Sequence, residues 1–189
     1  MKTKDSALPY ADLLERIKAA LPEDTSVHLV GGAVRDFLLN RTTHDLDFVL
    51  PKDAIAIGRK VANTLGAPFF PIDPERDTGR VLATDPTGVR LVLDFSAYRG
   101  LDLESDLRGR DFTINAIAVD LRRSHSLYDP LGGVKDLRQR VLRACSEVAF
   151  LSDPIRILRV VRQPLGKRLV EELLDVDGHR LRLLQSVKN

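Results

Sequence analysis

Asp45 and Asp47, in His44-Asp-Leu-Asp-Phe48, are the residues whose type and spacing best suit them to chemistry. In a strand, residues i and i+2 share a face, so both carboxylates project together while Leu46 and Phe48 point the other way into a core. Two neighbouring carboxylates repel, and the pKa of one rises unless a cation intervenes. Mg²⁺ removes that conflict, because it prefers oxygen ligands and is commonly held by one or two carboxylates plus substrate phosphates. Taken alone, Asp-x-Asp equally describes the solvated end of a surface strand.

The residues upstream add to the case. Gly31-Gly32 lets backbone approach a ligand closely, and a helix beginning there offers its first N–H groups to a phosphate. Arg35, in that first turn, adds a phosphate contact with two parallel donors. A plain strand–turn–helix corner with a surface arginine is the alternative. A third carboxylate, Asp94, is the one polar residue inside the apolar run Leu91-Val-Leu-Asp-Phe95. A buried aspartate needs a partner or a metal. Beside Asp45 and Asp47 it would serve as third ligand or as general base for an attacking hydroxyl; otherwise it is a hydrogen-bonded strand residue.

These residues depend on the elements that carry them. Apolar positions from Leu8 to Leu21 have helical spacing. Val27–Val30 reads as a strand stopping at the glycine pair, Val34–Leu39 as a short helix, and Leu46–Leu50 as a strand closed by Pro51. Asp53 is expected to cap a helix running to Leu65, with Gly66 as its stop. Pro68–Ile72 reads as an edge strand, and residues 73–79 as a mobile loop or a hairpin tip. Val81–Ala83 and Val89–Phe95 flank the turn Asp85-Pro-Thr-Gly88. Leu101–Leu107 reads as a charged connector, and Phe112–Val119 as helix or strand. Asp129-Pro-Leu-Gly-Gly133 is a turn before Val134–Gln139. Ser152-Asp153-Pro154 starts a helix that runs to Arg162 and meets Pro164. This order predicts an α+β fold, a small mixed sheet with helices appended at the C-terminal end.

The chain has 189 residues, 43% hydrophobic and 30% charged, which suits one globular domain with an appendage. No apolar run is long enough for a transmembrane helix, and residues 1–6 lack a signal-peptide core. Cys145 is the single cysteine, which excludes a disulfide framework and a cysteine zinc cluster. A cytoplasmic location is the default expectation. Residues 1–134 hold 17 Lys+Arg and 20 Asp+Glu, and residues 135–189 hold 12 and 7, so an acidic front faces a basic back. That asymmetry suits a polyanionic substrate, though a solvated helical surface gives the same pattern.

Gly31-Gly32, a twelve-residue spacer, Asp45-Leu-Asp47-Phe and Leu93-Asp94-Phe95 together resemble the polymerase-beta-like nucleotidyltransferase superfamily. Gly31-Gly-Ala-Val-Arg-Asp36 and Arg108-Gly-Arg-Asp-Phe-Thr-Ile-Asn-Ala116 narrow the resemblance to the bacterial class II tRNA nucleotidyltransferase and poly(A) polymerase family. Asp129-Pro-Leu-Gly-Gly133 and Asp153-Pro-Ile-Arg156 sit where that family keeps further motifs. The resemblance covers roughly residues 25–163. It implies a nucleotidyltransferase head over residues 1–140 and a short helical neck and tail over 141–189. It implies that Asp45 and Asp47 bind Mg²⁺ in a two-metal centre, and that Gly32 and Arg35 contact a nucleoside triphosphate. It implies that Arg110, with Asp111, serves the ribose and nucleotide, and that Asp153 and Arg156 read the base edge. Arg159 and Arg162 match later basic positions of the same helix. Successive steps of three residues drift about 60° around a helix axis, so the four cannot all face one base. Asp153 and Arg156 are therefore expected to read the base, and Arg159 and Arg162 to serve phosphates or the acidic head.

The activity implied is transfer of CMP or AMP from CTP or ATP to the 3′ end of an RNA, tRNA first, with pyrophosphate released. Polyadenylation is one alternative. A head that binds nucleotide without turnover, or that needs an RNA-binding partner chain, is another. Ser152 stands where the family usually has glutamate, which removes one contact that orients the base-reading pair. After Arg162 the sequence Gln163-Pro164-Leu-Gly166 interrupts the helix, and only 26 residues follow from Pro164. Within them, Leu169, Val170, Leu173 and Leu174 form an apolar stripe. The tail over 165–187 is expected to fold back on the head, dock a partner chain or self-associate.

Overall fold

The computed structural model describes residues 10–123 and 126–146. In chain order the elements are α1 (Ala11–Ala20), β1 (His28–Val30), α2 (Gly32–Leu38), β2 (Asp45–Leu50), α3 (Ala54–Leu65), β3 (Phe69–Asp73), β4 (Thr78–Thr84) and β5 (Arg90–Ala97). Then come α4 (Leu103–Arg108), a 3₁₀ turn (Thr113–Asn115), β6 (Ala118–Asp120), β7 (Leu127–Tyr128) and α5 (Gly133–Gln139). The strands form one seven-stranded sheet in the order β3-β4-β5-β2-β1-β6-β7. Among the described strands only β2 and β5 run parallel; the other pairs are antiparallel. The sheet is the small mixed one that the element order predicts.

Period-two alternation decides which face of the sheet is which. On β2 and β5 the buried residues Leu46, Phe48, Leu50, Leu91, Leu93 and Phe95 all face α1 and α3, where they meet Leu14, Ile17, Ile57 and Val61. Phe48 and Phe95 stack with ring centroids 4.9 Å apart. Each such side chain gains about 1.5–3 kcal/mol by leaving water. The opposite face is apolar only in part. Val30, Val49 and Ala118 pack under Leu107 of α4, and Cys145 lies against that cluster. The remaining positions of this face, on β2, β5 and β4, carry the charged residues of the candidate site.

Three local expectations change. Asp53 does not cap α3: its backbone is left-handed (φ 62°) and its side chain makes no cap. The Asp77 carboxylate, from the β3–β4 turn, accepts the N–H groups of Ala54 at 2.7 Å and Ile55 at 2.9 Å instead. A local reading of the sequence cannot see a cap delivered from 22 residues away. Residues 73–79 are thus a hairpin tip that docks onto a helix end. The expected connector at 101–107 contains α4, closed by a reciprocal capping box between Asp102 and Ser105. Residues 112–119, ambiguous in sequence, divide into the 3₁₀ turn and β6. The expected helix from Pro154 to Arg162 and the stripe within 165–187 lie outside the described residues.

Candidate active site

A single row of side chains crosses the open face of the sheet. Arg80 on β4 pairs with Asp94 on β5, Asp94 with Asp47 on β2, and Asp47 with Val30 on β1. Asp45 stands one pleat along, on the same face as Asp47 and more exposed. The parallel register of β2 and β5 therefore brings Asp94 beside the Asp45/Asp47 pair. Adjacent strands lie about 4.8 Å apart, so the three carboxylates form one acidic patch.

The partners of these carboxylates differ sharply. Asp94 is held by Arg80 through two short bonds, Nε to Oδ1 at 2.7 Å and Nη2 to Oδ2 at 2.8 Å. Asp47 accepts no hydrogen bond from the described side chains, and burial pushes its carboxyl above the usual carboxylate range. Arg110 opposes that rise, while Asp94 and Asp45 add to it. This is the charge conflict the sequence predicts, expressed at one of the two aspartates.

Gly31 explains how backbone comes so near. Its φ of 74° and ψ of −141° suit only glycine. A Cβ there would lie 3.1 Å from Asp47 Oδ2 and 3.4 Å from the Arg110 guanidinium. Gly32 begins α2, and the end of Arg35 lies close over it. Arg35 is buried rather than solvated. Its guanidinium donates to both oxygens of Asp36 (3.0 and 2.9 Å) and to Asn115 Oδ1 at 2.7 Å.

A motif further along the chain holds Asn115 in place. Asn115 Nδ2 donates to Asp111 Oδ1 at 3.0 Å. The 3₁₀ turn that carries Asn115 rests on α5. Asp129 caps α5 at the N–H groups of Gly133 (2.7 Å) and Val134 (2.9 Å). A Cβ on Gly133 would collide with the Thr113 carbonyl at 2.1 Å. The Thr113 hydroxyl donates to Asp136 at 2.8 Å, and Arg143 donates to the same carboxylate at 3.0 Å. Arg143 is therefore tied into the fold. Cys145 N–H bonds to the Asp111 carbonyl at 3.1 Å, so the described end of the chain is also sewn to the site.

Between the acidic row and α4 lies an open cleft of about 370 Å³, lined among others by Asp47, Asp94, Arg99, Asp106, Arg110 and Asp111. Asp106 is 2% exposed and organises the basic wall. It accepts the Arg99 N–H at 3.0 Å and two bonds from Arg110, at 3.2 and 2.9 Å. The cleft thus sets acidic metal-ligand candidates opposite guanidinium groups, an arrangement that can seat a polyphosphate beside a cation.

The structure brings together Asp45, Asp47, Asp94, Gly32, Arg35 and Arg110. Asp153, Arg156, Arg159 and Arg162 lie outside the described residues. Sequence reading missed Arg80, Arg99 and Asp106. Arg80 carried one usable signal: it precedes Val81 in a strand and so takes the face opposite the core. Asp106 was hidden in a segment read as connector.

The donor set fits Mg²⁺. Asp45 and Asp47 offer oxygen ligands on one open face, and burial disfavours the charged form of Asp47, a cost that a cation would relieve. Among the described residues no group of three or more His, Cys, Asp or Glu side chains is arranged to hold a metal.

Residues 27–143 match the family described as poly A polymerase head domain. The CC-adding tRNA nucleotidyltransferase of Geobacter sulfurreducens is 47% identical over 133 residues, 70% of this chain and 30% of that protein. The A-adding tRNA nucleotidyltransferase of Deinococcus radiodurans is 46% identical over 134 residues, 71% and 29% of the two chains. An apo CCA-adding enzyme superposes with a TM-score of 0.70 at 30% identity, covering 87% of this chain and 43% of that one. A Thermotoga maritima CCA-adding enzyme complexed with tRNA superposes at 0.67, with 31% identity, over 85% and 41%. The chain spans about three tenths of the length of the two curated relatives.

Proposed function

Because the chain belongs to the poly A polymerase head domain family, we propose that it is the catalytic head of a Mg²⁺-dependent RNA nucleotidyltransferase acting on the 3′ end of tRNA. The observation that carries this is the in-register row Arg80–Asp94–Asp47, with Asp45 alongside and the Arg110 guanidinium over Gly31. The substrates proposed are CTP, ATP or both, and the acceptor a 3′ hydroxyl. The names of the two relatives, CC-adding and A-adding, support both nucleotides. A cytoplasmic location accords with tRNA as substrate. No helix among the described residues is long and apolar enough to cross a membrane.

Divalent ions held by Asp45 and Asp47 would supply Lewis acidity toward the attacking hydroxyl and the departing pyrophosphate. The protein's own groups position the reactants. Gly31-Gly32 lets a phosphate approach the backbone closely. Arg110, steered by Asp106, neutralises triphosphate charge in the cleft. Arg35 stays fixed on Asp36 and Asn115 with its guanidinium over Gly32, so it meets a ligand at that turn as a pre-set donor. Asp94 lies close enough to Asp47 to join it or to take the hydroxyl proton. With Asp153 and Arg156 reading the base edge, and Arg159 and Arg162 serving phosphates, catalysis is mainly positioning and charge neutralisation.

Incubation of the chain with tRNA lacking its 3′ end and each labelled triphosphate tests this reading. Incorporation of CMP or AMP that disappears in Asp45→Ala is expected. No incorporation by the unaltered chain, or equal incorporation by Asp45→Ala, overturns it. The family description favours a second reading, polyadenylation, which would give long A tracts on unstructured RNA.

A further inference from the structure

Arg80 is the one element of the acidic row that the proposed reaction leaves unused. Its guanidinium takes both oxygens of Asp94. Its side chain is 40% exposed and that of Asp94 24%, so the pair sits at the surface of the site. Across the β3–β4 pair, Arg80 faces Phe70, and Thr78 and Leu82 flank it along β4. None of these is anionic. On this face its nearest carboxylates are Asp94 and then Asp45 and Asp47. One step further along the row, in register with Asp94, stands Asp47, a carboxylate with no hydrogen bond from the described side chains. Asp94 thus has a guanidinium bonded to both its oxygens, whereas Asp47 has no such bidentate partner among the described side chains.

We propose that Arg80 is a placeholder cation, which occupies Asp94 until a divalent ion binds at Asp45 and Asp47, when Asp94 turns to the ion and releases the guanidinium. This rests on the metal reading of Asp45 and Asp47 given above. Two physical arguments support exchange over a permanent clamp. Partly exposed ion pairs are typically worth about fivefold or less in an equilibrium constant, and a bidentate pair such as this one somewhat more, still less than a divalent ion draws from a carboxylate cluster. Asp94 and Asp47 are also in register on neighbouring strands, so one ion can draw on both without a backbone shift. Once released, Arg80 faces on this row only carboxylates that the ion would then hold. The donor it then offers suits a phosphate oxygen of the bound substrate. Arg80 is on this account a positioning residue that couples ion binding to anion binding.

Mn²⁺ binding to the full chain, read by electron paramagnetic resonance, tests the exchange without any turnover. Arg80→Met removes the competitor and should tighten Mn²⁺ binding by about three- to fivefold, and Asp94→Asn should weaken it. The double variant should bind like Asp94→Asn alone, because without Asp94 there is nothing for Arg80 to block. The same tightening by Arg80→Met in the Asp94→Asn background would mean that Arg80 acts through its charge alone, and overturns the proposal. So does unchanged or weaker binding by Arg80→Met. If Arg80→Met does not fold, the Nε–H resonance of Arg80 in the unaltered chain decides. It should shift and lose protection as Mg²⁺ saturates, and a signal that stays fixed overturns the exchange. Failure of the unaltered chain to bind Mn²⁺ would overturn the metal assignment itself, and this inference with it.

Discussion

Asp47 and Asp94 stand directly opposite each other across the β2–β5 pair, the only parallel pair among the described strands, and both face away from the core. A parallel pair needs a crossover, and the chain from Leu50 to Arg90 supplies it with α3 and the β3–β4 hairpin. Had β5 paired one residue out of register, Phe95 would lie on the open face and Asp94 in the core. The stacking of Phe48 on Phe95 and the burial of Leu91 and Leu93 exclude that slip. Hydrophobic packing on one face thus fixes carboxylate geometry on the other. The energetic consequence is an acidic patch that weakens the fold where it prepares the site.

Asp47→Asn should therefore stabilise the protein when divalent ions are absent. The folded-state pKa of Asp47 is raised, chiefly by burial. Above that pKa the folded chain carries an ionised group that the unfolded chain solvates better, so stability is reduced there. As pH falls through the raised pKa the folded state takes up a proton first, and the penalty fades toward the ordinary carboxylate range. Thermal unfolding in a chelator should show the variant melting above the unaltered chain at neutral pH, with the gap closing on acidification. A variant that melts lower at neutral pH would contradict this account.

Gly31 and Gly32 should respond oppositely to alanine. At Gly31 a side chain meets a backbone conformation that costs about 1–3 kcal/mol, and its Cβ would press on Asp47 at 3.1 Å. At Gly32, the first residue of α2, a Cβ would lie 3.4 Å from the Arg35 guanidinium, an ordinary van der Waals contact, and alanine favours the helix. Gly31→Ala should lower the denaturant midpoint and weaken triphosphate binding together. Gly32→Ala should fold at least as well as the unaltered chain, and calorimetry then reads any loss of nucleotide contact in isolation.

Asp106→Asn should separate binding from chemistry. The carboxylate is buried and holds Arg110 by two bonds while accepting the Arg99 N–H. The amide keeps the acceptor for Arg99 but loses the charge that steers Arg110. A hydrogen bond to a charged group is worth about 1.5–3 kcal/mol, and the stability loss should fall in that range. In steady-state incorporation the KM for triphosphate should rise several-fold with little change in kcat. An equal fall in kcat would place Arg110 at the reacting atoms rather than along the phosphates.

Much of this site is legible in the sequence, because strand parity and burial are local properties. Asp45 and Asp47 share a face by spacing alone, and an aspartate inside an apolar strand announces Asp94. What sequence cannot supply is the partner from elsewhere in the chain. Arg80 reaches Asp94 through the pairing of β4 with β5, and Asp106 reaches Arg110 because Leu103–Arg108 forms a helix that its charge obscures. Arg35 was legible as a guanidinium beside the glycine turn, but not as a group already bonded to Asn115, 80 residues away.

The α3 cap shows the same limit in its simplest form and gives a direct test. Asp53 has the right residue type and position for a cap, yet it adopts a left-handed backbone and leaves the helix end to Asp77. Removal of a capping carboxylate costs about 0.5–2 kcal/mol. Asp77→Ala should therefore destabilise the chain by about that amount, loosen the β3–β4 turn from α3 and lower the denaturant midpoint. Asp53→Ala should cost less than Asp77→Ala, since its side chain caps nothing and only its left-handed backbone, which aspartate tolerates better than alanine, is affected. Neither residue lines the cleft, so nucleotide incorporation at a temperature where both variants are folded should match that of the unaltered chain. If Asp53→Ala were the more damaging change, α3 would be capped locally in solution, and the hairpin tip would not be anchored to it.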